Sequence, residues 1–207
     1  MGSVLLPKVL GQYERELHPA IERALCRVAK RVAVVGCAEG YYAVGFARRL
    51  PESHIFAFDS DLLAQTLCLA LARANSSESR VTVAGACQAS DLQAVLRAGD
   101  LVFCDVDGFE VELLNPEKAP VLLECDLLVE LHEPLRAGSA QTVLERFRAS
   151  HEVSIIDAQP RRASNFPQFA FLGTPDVEFA LDKRRPTGQQ YAELQRKTPS
   201  SSTQAPS

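Results

Sequence analysis

The chain has 207 residues, enough for one domain with a sizeable core and too few for two full ones. Hydrophobic residues make up 46% and charged residues 23%, the balance of an ordinary globular sequence rather than a disordered one. The net charge of −4, with no basic run beyond Lys183-Arg184-Arg185, argues against a nucleic-acid-binding face.

Met1 to Gln12 lacks the basic start, apolar stretch and small-residue cleavage site of a secretory signal, so a cytoplasmic location is expected. No apolar run reaches the ~18 residues of a membrane span. Residues 1–30 read as a helical cap. Tyr13, Leu17, Ile21, Leu25 and Val28 recur at helical spacing, and Pro19 breaks the helix in two. The pattern then changes. Val32-Ala33-Val34-Val35 is a short apolar run that ends in Gly36-Cys37-Ala38-Glu39-Gly40, as a strand buried on both faces would. A helix from Tyr41 to Leu50, a strand over Ile55–Phe58 ended by Asp59-Ser60-Asp61, and a helix from Leu62 to Ala74 follow. Strand three is Val81–Ala84. A short helix from Asp91 to Arg97 is capped by Ser90 or Asp91. Strand four is Leu101–Cys104, strand five Asp126–Leu131, then a helix over Ser139–Ala149 and strand six at Val153–Ile156. Residues 160–175 are loop-rich, and 176–183 suit a helix. Gln190–Leu194 reads as a final edge strand or a helix turn, and 197–207 is Ser/Thr/Pro/Gln-rich and expected to be disordered. Residues 1–196 are thus expected to form one domain, with 31–157 as its core and 158–196 completing it.

Strand-helix alternation repeated this way implies a mostly parallel, doubly wound, Rossmann-like α/β sheet with helices on both faces. In such sheets ligands sit at the carboxyl ends of the strands, where strand order reverses. Gly36–Gly40, Asp59–Asp61, Gly85–Gln88, Asp105–Gly108 and His132–Glu133 all fall there. Glycine after a buried strand lets the chain turn and a ligand approach, and the following helix offers unpaired N–H groups. Asp59 can accept two hydrogen bonds from a ribose diol, while Asp61 suits the helix cap. Asp105 and Asp107 face a cationic ligand, a metal or a hydroxyl, or else are solvated loop acids. His132 is a candidate general base or a backbone-bonded loop histidine. Ala38 and Tyr41 stand where a dinucleotide fingerprint needs glycine, which disfavours NAD, and no Walker loop is present. The six cysteines are scattered without a C-x-x-C pair, so buried thiols are expected rather than a zinc site or a disulfide framework.

Val32 through Tyr42 resembles the first motif of class I S-adenosylmethionine-dependent methyltransferases, and Phe58-Asp59-Ser60-Asp61 resembles their second-strand acid. Cys104-Asp105-Val106-Asp107-Gly108-Phe109-Glu110, with Leu128-Val129-Glu130-Leu131-His132, is similar to the FkbM-type branch. The resemblance covers about residues 31–157. It implies a seven-stranded sheet with a reversed last hairpin and S-adenosyl-L-methionine as cofactor. It implies methionine-end contacts from Gly36, Cys37, Glu39 and Gly40, ribose contacts from Asp59, and adenine contacts near Ala86 and Cys87. The chain departs from the motif at Val34, where an acid is common, and at Ala38, where the middle glycine stands. Glu39 is the candidate substitute for the missing acid.

The expected function is transfer of a methyl group to an O or N of a small-molecule acceptor. Asp105 contacts the cofactor's ammonium, Asp107 and His132 carry the acceptor chemistry, and no metal is needed. Two alternatives remain: a degenerate methyltransferase-like binding protein and an NAD-dependent oxidoreductase.

Overall fold

The computed structural model describes residues 5–160 and 188–197, together with Ser164, Phe166, Gly173, Pro175 and Val177. The expected helix at 176–183, the Lys183-Arg184-Arg185 run and the tail beyond Lys197 lie outside the described residues.

Seven strands form one sheet: β1 (Arg31–Val35), β2 (His54–Phe58), β3 (Val81–Ala84), β4 (Leu101–Cys104), β5 (Asp126–Leu131), β6 (His151–Asp157) and β7 (Gln190–Arg196), in the order β3-β2-β1-β4-β5-β7-β6. Strands β1 to β5 pair in parallel, and β7 runs antiparallel to both β5 and β6. The order reverses between β1 and β4, so their carboxyl ends bound the crevice where such a sheet binds ligands.

Period-two alternation explains why continuous apolar runs make these strands. Val32 and Val34 of β1 face one core, and Ala33 and Val35 face the other. In β4, Leu101 and Phe103 join the first, Val102 and Cys104 the second. A polar residue on either face would lie under a layer of helices, so β1 and β4 carry apolar side chains on both faces. The first layer contains α2 (His18–Cys26), α3 (Tyr41–Arg49) and α4 (Leu62–Ala74). The second contains α5 (Ala89–Val95), α6 (Glu110–Leu113) and α7 (Ser139–Phe147). A short helix, α1 (Leu5–Val9), precedes them. Among the described residues no helix is long and apolar enough to cross a membrane.

Pro19 marks the expected boundary: a short 3-10 helix, Arg15–Leu17, ends there and α2 begins with Pro19 as its second residue, because a proline needs no N–H partner in the first turn. Two expectations need correction. Helix α5 begins two residues early, at Ala89. Its cap is neither Ser90 nor Asp91 but Gln88, whose N–H the Asp91 carboxylate accepts at 2.8 Å in a reciprocal capping box. Strand β7 is not at an edge. It is inserted between β5 and β6, with Tyr191, Ala192 and Leu194 almost fully buried, and leaves β6 as the edge. All six cysteines are unbonded, and five are buried.

Candidate active site at the strand ends

The loop after β1 is shaped by its neighbours. Gly36 has φ +80°, and a Cβ there would lie 1.7 Å from the carbonyl oxygen of Asp105, so β1 and β4 can end side by side only with glycine at this position. Gly40 has φ +97° at the start of α3, and a Cβ would sit 2.9 Å from Cys68 Sγ. Ala38 keeps the left-handed backbone of the glycine it replaces, with φ +46°, at a strain of roughly 1 kcal/mol. Its N–H donates to Asp59 Oδ2 at 2.9 Å. Asp59 Oδ1 accepts the Asp61 N–H at 2.9 Å, and Asp61 caps α4 by accepting from Leu63 N. Asp59 is thereby fixed against the glycine loop. Each of its oxygens has a second lone-pair direction with which to accept a hydroxyl.

Other residues of the expected cofactor site are placed differently. Cys37 is buried, and its thiol, raised by a hydrogen bond to Cys68 and then by burial, turns into the core, leaving its backbone to the loop. Cys87 also turns inward, and burial raises its thiol to about 12. Ala86 stays exposed beside it. Glu39 is ion-paired with Lys8 from α1, so it does not stand unoccupied in place of an acid at Val34. Val34 itself is fully buried in the apolar layer.

The expected juxtaposition of β4 and β5 brings Asp105, Asp107 and His132 together. His132 Nε2 lies 3.5 Å from Asp105 Oδ1 and 3.4 Å from Asp107 Oδ1. Sequence reasoning quoted Glu110 and Glu130 within the motifs but gave them no role. Glu130 Oε1 is 3.3 Å from His132 Nε2, and Glu110 Oε1 is 2.6 Å from Nδ1. Glu110 also accepts the N–H groups of Val106 and Gly108, and Gln189 donates to Glu130. A glutamate inside the apolar run Leu127–Leu131 was the signal for Glu130, since a buried acid needs a partner. Glu14, fully buried and bonded by the Tyr42 hydroxyl, gave no such signal. Its ligand oxygen lies within 4.8 Å of those of Asp105 and Glu130.

These surroundings decide the state of His132. Burial works to lower its pKa, but the hydrogen bonds with Glu110 and Glu130 outweigh it and raise the imidazole to about 10. Near neutral pH the ring is an imidazolium and has no lone pair to receive a proton. That charged form argues against the expected role of His132 as general base. As a cation it holds four carboxyl groups around one point, with Asp107 the solvent-facing member at 88% side-chain exposure.

No protein-family model and no curated protein sequence matches the chain. Solved structures do match in fold. The O-methyltransferase TomG of Streptomyces achromogenes, involved in tomaymycin synthesis and crystallised with SAM, is 16% identical. The match covers 84% of this chain and 77% of that one, with a TM-score of 0.53. The O-methyltransferase of Bacillus cereus in complex with SAH is 11% identical over 84% and 78% of the two chains, with a TM-score of 0.54. The precorrin-6y C5,15-methyltransferase of Geobacter metallireducens is 10% identical over 89% and 92%, with a TM-score of 0.58. The seven-stranded sheet with its inserted antiparallel β7 is the class I methyltransferase fold shared with these proteins.

Proposed function

We propose that the protein is an S-adenosylmethionine-dependent methyltransferase acting on a small-molecule acceptor, with an acceptor oxygen as the preferred nucleophile. One observation carries this reading. The Gly36–Gly40 loop and the Asp59 carboxylate meet at the carboxyl end of β1, beside the reversal point of a sheet similar in fold to structures solved with SAM and SAH. The residues present fit the cofactor. Glycine at 36 and 40 lets the loop close against Asp105 and Cys68, and Asp59 retains acceptor capacity toward a ribose diol. When bound, the cofactor supplies an electrophilic methyl on a sulfonium.

The chain's own residues then position the acceptor and manage its proton. Asp105 faces the cationic end of the cofactor. Asp107, exposed and beside the imidazolium, would accept the proton of an acceptor hydroxyl. His132 is a positioning residue that holds Asp105, Asp107, Glu110 and Glu130 in one array. Positioning of donor and acceptor supplies most of the rate in this kind of transfer. An FkbM-like placement belongs to the same proposal and rests on the motif resemblance of residues 104–110 and 128–132.

A second reading is favoured by one specific feature: ligand atoms of Asp105, Asp107 and His132 lie within 4.8 Å of one another. Oxygen-rich donors suit a divalent cation, which would displace the His132 proton. Transfer of radiolabelled methyl to a panel of phenols, sugars and amines, with and without chelator, tests both readings. Turnover that resists chelator supports the metal-free form. Loss restored by Mg²⁺ supports the second, and no transfer to any acceptor despite cofactor binding favours a degenerate binding protein.

A further inference from the structure

Lys8 on α1 is surrounded as a bound ligand would be. Its side chain is only 8% exposed, and its ammonium is ion-paired with Glu39. Nζ lies over two aromatic rings, 4.6 Å from the centroid of Tyr13 and 4.8 Å from that of Tyr41. The rings themselves meet edge to face at 5.4 Å. Two π-faces and a carboxylate around one ammonium make a cation cage, whose attraction grows once the cation leaves water. Among the described residues, α1 buries little apolar surface. Pro7 is its buried residue, while Leu5 and Val9 are 70% and 72% exposed. Segments with so little apolar burial open at low free-energy cost.

We propose that Tyr13, Tyr41 and Glu39 form a binding site for the cationic nitrogen of a small amine, and that Lys8 is its internal occupant, closing the site until a ligand ammonium displaces it. The cage borders the glycine loop, since Glu39 belongs to that loop and Tyr41 opens α3. Glu14, bonded to the neighbouring Tyr42, adds negative potential on the same side. An amine on the acceptor and the amino end of the methyl donor share this chemistry. The cage stands on the seated lysine and not on the methyl-donor reading.

The test titrates n-propylammonium, a mimic of the lysine terminus, into the full chain, with the tyrosine ring signals followed by NMR. Lys8→Ala is expected to bind the probe about tenfold tighter than wild type, the gain when an occupant filling the cage about nine-tenths of the time is removed. Lys8→Arg keeps a plug and should bind no better than wild type. Adding Glu39→Gln to Lys8→Ala should erase the gain. S-adenosylhomocysteine distinguishes the sources: competition with the probe assigns the cage to the donor's amino end, and simultaneous binding assigns it to an acceptor amine. Equal probe affinity in wild type and Lys8→Ala, with both melting cooperatively, would overturn the proposal. So would a gain in Lys8→Arg as large as in Lys8→Ala. A probe gain without any S-adenosylhomocysteine binding would sink the methyl-donor reading and leave the cage standing.

Discussion

At the scale of single residues, the informative side chain is His132. An isolated histidine titrates near neutrality, but this one shares its ring protons with buried carboxylates that hold it in the charged form. Its folded pKa is raised above the unfolded value of 6.5 to about 10. It therefore stabilises the fold fully below pH 6.5. That contribution declines as pH rises and is gone above about 10. Melting temperature measured from pH 6 to 10.5 should fall in wild type, and His132→Gln should flatten this slope. An equal slope in the variant would place the titration elsewhere. Asp107→Asn is expected to lower turnover by about 10²–10⁴ while leaving cofactor affinity nearly intact, the range for loss of a general base. Unchanged turnover in single-turnover kinetics would remove Asp107 from that role. The sequence placed Asp105, Asp107 and His132 at adjacent strand ends correctly, because strand ends follow from the apolar runs. It gave no sign of the protonation state, which depends on Glu110 and Glu130 approaching from two different elements.

Among the secondary elements, β7 shows what local pattern leaves open. Gln190–Leu194 is short and carries Glu193 between Ala192 and Leu194, so it reads equally well as an edge strand or a helix turn. Its place is set by non-local pairing: it accepts β5 on one side and β6 on the other, and Arg23 from α2 pairs with Glu193. Leu194 is fully buried there, and Leu194→Ala should destabilise the protein by about 2–5 kcal/mol in urea unfolding. A change under 1 kcal/mol would mean that β7 is not integral to the sheet. A proline in helical periodicity signals a boundary, and at Pro19 a short 3-10 helix, Arg15–Leu17, gives way to α2. By contrast, α4 (Leu62–Ala74) was legible to the residue, because Asp61 provides its cap and Asn75 its stop.

For the whole molecule, alternating runs and right-handed crossovers leave few topologies, and the chain adopts the parallel order β3-β2-β1-β4-β5. The reversed hairpin was implied by the family resemblance alone. The N-terminal segment was read as a cap without its reach to the loop, since nothing local in Lys8 or Glu14 announces a contact with Glu39 or Tyr42. On the proposed function, the crevice between β1 and β4 holds S-adenosylmethionine through the glycine loop and Asp59. Calorimetric titration of S-adenosylhomocysteine into wild type and Asp59→Ala, with NAD as control, tests it most directly. The account predicts saturable binding to wild type, weakening by about 1–3 kcal/mol in Asp59→Ala, and no heat from NAD. Absence of S-adenosylhomocysteine binding in the folded wild type, or equal affinity in Asp59→Ala, would contradict it.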